Sequence, residues 1–237
     1  MQIVFEDEHL LVINKPSGWH SSIVGDSREN TIAGLLLEKY PGIAEASLKP
    51  EDAGLVNRLD FPTSGALLAA KNRKVWEKLR EQLLAGEIEK SYLALVEGLF
   101  PETPVTAQSF LGNPNRNAKK IRVYHKDPGP KARALPARTE FRLIRQLLDQ
   151  QASLIRATAH VARRHQIRAH AADLGYPLVG DALYGSNRLF SSICPKANPA
   201  PEFFLHAGTL KLQHPATGKL LELEIPQPSY EISSVFN

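Results

Sequence analysis

Most of the chemistry in this chain is concentrated in one polar stretch, Asn57-Arg58-Leu59-Asp60-Phe61-Pro62-Thr63-Ser64-Gly65. It sets a guanidinium, a carboxylate and two hydroxyls between two apolar runs. Groups of this kind build sites for nucleophilic attack or charge stabilisation. The same residues also suit a simpler role, because Asp beside Pro and Gly commonly forms an Asx-type turn or caps a helix. Other features carry less. No Gly-rich phosphate loop is present, and a single cysteine, Cys194, excludes a Cys–Cys zinc spacing. His160, His165 and His170 recur every five residues, which does not align them on one helix face, so polar histidines are favoured over a metal site. Ser64-Gly65 lacks the surroundings of a hydrolase elbow. Trp19 and Trp76 read as packing residues.

The elements that must position these residues are short. Gln2–Phe5 and Leu10–Asn14 read as strands joined by the acidic turn Glu6–His9. Thr31–Tyr40 reads as a helix with Asn30 as its N-cap and Pro41-Gly42 as its stop. Leu55–Leu59 and Gly65–Ala70 read as strands around the polar loop. Asn72 predicts a cap for a helix over Arg73–Ala85, with Val75, Leu79 and Leu83 on one face and Gly86 as its end. Further strands are predicted at Lys90–Gly98, Thr106–Leu111 and Ile121–Tyr124. Glu140–Ile144 and Ser153–Ala159 suggest a hairpin. Gln166–Leu174 reads as a helix ended by Gly175. Phe203–Leu212 and Leu220–Ile225 close as a second hairpin through His214–Gly218. Strands outnumber helices and follow one another in sequence, so the expected class is α+β with a mainly antiparallel mixed sheet and flanking helices. No stretch reads as an interdomain linker, and residues 1–237 are expected to form a single domain.

Of 237 residues, 43% are hydrophobic and 23% charged, which excludes global disorder. No apolar run is long enough to span a membrane. The N-terminus has acids where a secretory signal carries positive charge, and the lone cysteine fits a reducing compartment; a cytoplasmic location is expected. The net charge is +4, but it is unevenly spread. Gly112–Arg145 holds ten basic residues (Arg116, Lys119, Lys120, Arg122, Lys126, Lys131, Arg133, Arg138, Arg142 and Arg145) against Asp127 and Glu140, a local balance of +8. Arg156–His170 adds Arg156, Arg163, Arg164 and Arg168 with no acid. This asymmetry is the footprint of phosphate binding or of a solvated charged loop. The irregular basic segment at about 101–136 is the larger part of it.

The polar stretch resembles the H-R-L-D-x-x-T-S-G-L-L-L loop of the RluA-type family of RNA pseudouridine synthases. Five further segments resemble that family's motifs in order. They are Leu11–Gly18 (L-x-V-x-N-K-P-x-G), Lys90–Val96 (K-x-Y-x-A-x-V), Arg163–His170 (G-R-x-H-Q-I-R-x-H), Leu174–Gly185 (L-G-x-P-I-x-G-D-x-x-Y-G) and Leu205-His206-Ala207 (L-H-A). Asn57 stands where His is usual, Phe61-Pro62 where a polar pair is common, and Val161-Ala162 where Thr-Gly usually precede the Arg. These departures touch loop geometry and RNA contacts rather than the Asp, Tyr or Arg. The resemblance begins near the N-terminus, so the expectation is a catalytic domain without the small RNA-binding domain that often precedes it.

The resemblance implies a pseudouridine-synthase fold and a cofactor-free, metal-free isomerisation of uridine in RNA. Asp60 would be the essential carboxylate, acting on the base, on C1′ or on a ribose proton. Arg168 would be its cationic partner, favouring the ionised form. Tyr92 would lie against the target base, where its hydroxyl can assist proton removal at C5. The uridine must leave its stack to be reached, and Arg58 could fill the vacated space or hold a flanking phosphate. Lys15, Arg163 and Arg164, with Lys119, Lys120 and Arg122 of the basic segment, are the expected RNA contacts. The expected partner is a tRNA or ribosomal RNA, recognised at unpaired bases by a monomer. A non-catalytic RNA-binding or RNA-folding factor on the same fold is the alternative.

Overall fold

The structure, a computed structural model, describes residues 1–25, 27–113, 115, 118–195, 197 and 200–228. Arg116 of the basic segment lies outside the described residues. Among these residues are ten strands: β1 (Gln2–Glu6), β2 (Leu10–Lys15), β3 (Ser64–Ala70), β4 (Glu89–Glu97), β5 (Val105–Gly112), β6 (Arg122–Tyr124), β7 (Leu135–Leu147), β8 (Ala152–Ala159), β9 (Leu205–Gln213) and β10 (Leu220–Glu224). Three α-helices accompany them: α1 (Ile32–Lys39), α2 (Arg73–Ala85) and α3 (Gln166–Asp173). The class is α+β, as the sequence pattern implies. No described helix is long and apolar enough to cross a membrane.

Two compact units divide the chain, one from Met1–Lys90 with His206–Pro228, the other from Ser91–Leu205. In the first, β2 pairs antiparallel with β1 and with β3, β3 runs parallel to β9 through Ser64↔His206 and Gly65↔Ala207, and β10 returns antiparallel along β9. Every residue of β3 is buried. A strand covered on both faces reads as a continuous apolar run rather than an alternating one. Helix α1 seats Ile32, Ala33 and Leu36 against Leu11, Ile13, Leu67 and Ala69. The Thr31 hydroxyl accepts from Gly34 N at 3.0 Å and caps this helix, whereas the sequence reading put the cap on Asn30. Asn30 instead takes the left-handed conformation one step earlier. Helix α2 forms with the expected limits, its cap Asn72 accepting from Val75 N at 3.0 Å and Gly86 closing it in the left-handed conformation.

In the second unit β8, β7, β5 and β6 form an antiparallel array. β7 is far longer than the predicted Glu140–Ile144, because its exposed end continues the alternation into Leu135–Ala137 and pairs with β5. Leu95, Leu154, Val179, Phe190 and Phe204 form one core, and Leu111, Ile121, Ala137, Ala169 and Tyr184 a second. His170, on α3, is fully buried between two hydroxyls, Ser109 Oγ at 2.8 Å from Nε2 and Thr139 Oγ1 at 2.8 Å from Nδ1. Burial pushes its ring down to about 4, so it serves as a neutral hydrogen-bonding post. Gln166 donates to the same Thr139 hydroxyl and to Arg138 O, and accepts from Arg163 N, tying the start of α3 to β7.

Candidate active site

In the first unit the middle of the polar loop is held through its backbone carbonyls. Phe61 O accepts from Gly18 N at 2.9 Å and from Lys15 Nζ at 3.2 Å. Ser17 Oγ donates to Pro62 O at 2.7 Å. The Ser21 hydroxyl donates to Leu59 O and accepts from Leu59 N, both at 2.9 Å. Asp60 closes a turn by accepting from Thr63 N through its carbonyl at 3.0 Å. This is a backbone turn rather than the side-chain Asx turn of the sequence reading, and the residue is half-buried. Where the loop enters β3, Gly65 adopts φ +107, and a Cβ there would overlap the backbone of Ala207. Only glycine lets β3 approach β9 so closely. Ser64 Oγ meets His206 Nδ1 at 2.9 Å across the same contact.

The predicted strand at Leu55–Leu59 does not form. Leu55 makes an isolated bridge to Ala69 and Val56 N donates to Leu68 O, but the ladder stops there. Asn57 takes over with its side chain: Oδ1 accepts from Leu68 N at 2.8 Å and Nδ2 donates to Ala66 O at 3.2 Å. A side-chain amide has one donor and one acceptor face, as a peptide does. The chain can therefore peel away from β3 without leaving those backbone groups unpaired.

Lys15 was expected among the RNA contacts, and its position is different in kind. It is 0% exposed at the end of β2, and Nζ donates to Trp19 O at 2.7 Å, Pro16 O at 3.0 Å and Phe61 O. An ammonium enclosed by three carbonyls does not reach a surface phosphate; it anchors the loop from below. Burial pushes this amine down to about 7, and the negative charge of nearby Asp60 opposes the shift. In the unfolded chain the amine holds its proton to about 10.5. Between these values the unfolded state binds more protons, so stability rises with pH across the window. Lys15→Met is expected to remove a gain on the order of a few kcal/mol from this window. Urea unfolding of wild type and variant at several pH values from 7 to 10 measures it, and an identical slope in both would assign the titration elsewhere.

Of the remaining sites in the first unit, Arg58 is exposed. In the second unit Tyr92 is buried on β4, at 5% exposure. Arg168 lies in α3 with its guanidinium forked onto Asp181, Nε to Oδ2 at 2.6 Å and Nη2 to Oδ1 at 2.8 Å. The two side chains are 5% and 0% exposed. The Phe203 ring, 4.6 Å from the guanidinium carbon, and the Tyr184 ring, at 5.1 Å, complete the enclosure. Asp181 was not singled out from sequence, although it stands in the Leu174–Gly185 segment. The signal available was a carboxylate in a fixed turn, since Gly180 before it adopts φ +96 and has no room for a side chain.

The basic residues of the second unit sort by exposure. Lys119, Lys120, Arg122 and Arg164 are exposed, and Arg163 is half-buried. Arg164 donates to Ala118 O at 3.2 Å and Lys119 O at 3.1 Å, which joins the two basic stretches of the sequence. Lys120 Nζ lies 5.1 Å from the Tyr184 ring.

The first unit presents an Asp on a braced loop, and the second holds a buried Tyr, an Arg–Asp fork and exposed basic side chains. Residues 9–173 match the model of the RNA pseudouridylate synthase family, and the chain belongs to that family. It is 35% identical over 227 residues to ribosomal large subunit pseudouridine synthase C of Salmonella typhimurium (strain LT2), covering 94% of this chain and 66% of that protein. The counterpart from Escherichia coli (strain K12) is 34% identical over the same span. The uncharacterized RNA pseudouridine synthase YhcT of Bacillus subtilis (strain 168) is 32% identical over 229 residues, covering 97% of this chain and 69% of the relative. The chain thus spans 66% of the length of the two ribosomal relatives, just under two thirds. Two solved human structures share the fold. RNA pseudouridylate synthase domain containing 1 has a TM-score of 0.69 at 24% identity, over 96% of this chain and 83% of that one. RNA pseudouridylate synthase domain containing 4 has a TM-score of 0.71 at 21% identity, over 99% and 91%.

Proposed function

We propose that this chain is an RNA pseudouridine synthase that isomerises a uridine in structured RNA, with ribosomal RNA as the substrate class. The observation that carries the reading is the Asp60 loop. Its backbone is pinned by Lys15, Ser17, Gly18 and Ser21, which fixes Asp60 beside the buried Lys15. The names of the similar proteins support ribosomal over transfer RNA.

The reaction breaks C1′–N1 and forms C1′–C5. The hydrogen on C5 leaves as a proton and N1 gains one, so atoms and electrons balance without a group donor or a redox partner. Asp60 supplies the anionic group this exchange needs at the sugar or base. Arg168, fixed by Asp181, and Tyr92 are proposed as the cationic and aromatic members of the machinery. A guanidinium already locked in a bidentate fork needs no reorganisation during reaction. Arg58, Arg163, Arg164, Lys119, Lys120 and Arg122 are proposed to hold phosphates. Reversing charge at Lys119 and Lys120 is expected to weaken RNA binding and lower its salt slope by about 2. Filter binding between 50 and 300 mM salt reads this, and an unchanged slope would place these lysines off the RNA.

The direct test is tritium release from unmodified ribosomal RNA labelled at uracil C5. C5 must lose its hydrogen as the new bond forms, so the expected result is Asp60-dependent release. No release from ribosomal or transfer RNA would return the chain to the role of an RNA-binding factor.

A further inference from the structure

Among the described Phe, Tyr and Trp residues, Phe61 is the one that is exposed, at 46%. The other large exposed hydrophobics are aliphatic or Met1, such as Leu48 at 74% and Leu189 at 72%. Scattered exposed leucines need no explanation. Phe61 differs in three respects. It is attached directly to Asp60, so the two Cα atoms are about 3.8 Å apart. Its backbone is immobilised, because the carbonyl is held by Lys15 and Gly18 and the next residue is Pro62, itself held by Ser17. Its ring has a partner of the same kind, His20, with centroids 4.6 Å apart and planes inclined by 43°. His20 is fixed in turn, donating through N to Asn30 O and accepting through O from Ile32 N, both at 3.0 Å. The result is a preformed, half-wet aromatic ledge at the side of the catalytic carboxylate, with the exposed Arg58 three residues before it.

We infer that the Phe61–His20 ledge is a stacking platform for an unpaired base of the substrate RNA, the neighbour of the uridine presented to Asp60. This inference rests on the reading of the chain as an RNA pseudouridine synthase and adds a specificity-determining contact to it. Extruding a uridine deprives its neighbour of one stacking face. An exposed aromatic ring offers a replacement, and it does so for any base because every base has a π-face. A ledge held in place before binding gives up little freedom when the base arrives. Phe is well suited to this role and ill suited to a phosphate contact, which sets Phe61 apart from its basic neighbours.

The test is filter binding of an unmodified transcript of large-subunit ribosomal RNA across a salt series, with tritium release measured on the same RNA. Phe61→Ala is expected to bind on the order of tenfold more weakly with an unchanged salt slope, because stacking releases no counterions. Phe61→Tyr and Phe61→Trp should stay within about twofold of wild type. Phe61→Leu keeps the apolar bulk and the fold and should behave like Phe61→Ala. Wild-type affinity in Phe61→Ala, or full recovery in Phe61→Leu, would overturn the platform. The two readings fail separately. Loss of affinity in Phe61→Ala with no tritium release by wild type would sink the isomerase and keep the platform. Tritium release that Phe61→Ala leaves unchanged, with unchanged affinity, would do the reverse.

Discussion

Asp60→Asn is expected to reduce tritium release by at least about 10³-fold, the scale on which removal of an acting nucleophile falls, while RNA affinity stays within about twofold of wild type. The substitution keeps the size and shape of the side chain. The carbonyls of Leu59, Phe61 and Pro62 stay held by Ser21, Lys15, Gly18 and Ser17 in the variant. The carbonyl of residue 60 still accepts from Thr63 N. Two things change: the negative charge and the carboxylate oxygen proposed to act on the uridine. Loss of that charge also removes the influence that opposes the downward shift of Lys15, so the amine should titrate lower in the variant. RNA should bind Asp60→Asn no more weakly than wild type, since a carboxylate repels phosphate. Single-turnover release on pre-bound RNA separates the two quantities. A variant that retains more than about a tenth of the wild-type rate would remove Asp60 from the chemistry.

The way this loop is braced explains which parts of the molecule can be read from its residues. Helix α2 is legible to the residue, because Asn72, the Val75–Leu79 spacing and Gly86 are local signals that act within a few positions. Strand β3 is legible because an apolar run bounded by Gly is self-contained. The segment before Asp60 is different. Leu55–Leu59 has the composition of a strand, yet Asn57 pairs its side chain with Ala66 and Leu68 and diverts the backbone. That choice depends on where β3 lies, which no local pattern contains. The helix cap illustrates the same limit at short range: Asn30 and Thr31 are both good caps, and the hydroxyl of Thr31 is the one that meets Gly34 N. Lys15 shows it most sharply. A lysine beside a proline and a glycine reads as a surface cation, and its burial becomes evident only when the carbonyls of Pro16, Trp19 and Phe61 converge on it. The family's motifs single out Asp60, Tyr92 and Arg168 as candidates. They do not reveal what holds the Arg.

Asp181→Ala is accordingly the variant expected to harm the fold most, by about 3–5 kcal/mol, the cost of breaking a buried ion pair by removing one member. Arg168 has no route to water at 5% exposure, and both arms of its fork end on Asp181. The rings of Phe203 and Tyr184 lie 4.6 and 5.1 Å from the guanidinium carbon and supply only part of the lost attraction. The turn itself is also anchored on this residue, whose carbonyl accepts from Tyr184 N at 3.0 Å and Ser186 N at 3.1 Å. Those bonds survive the substitution, so the loss measured is that of the charge pair. A second variant tests whether the pair exists for stability or for chemistry. Replacing both partners by apolar residues, Arg168→Met with Asp181→Leu, removes both charges of the pair, and such exchanges are commonly neutral or stabilising. Thermal and urea unfolding should therefore show the double variant well above Asp181→Ala, close to wild type. Its tritium release should stay at the Asp60→Asn level, because the guanidinium is gone. Recovery of both stability and turnover would make the Arg168–Asp181 pair a packing device. Recovery of stability alone makes it a cation kept in the core for the reaction, at a position where an apolar pair would serve the fold equally well.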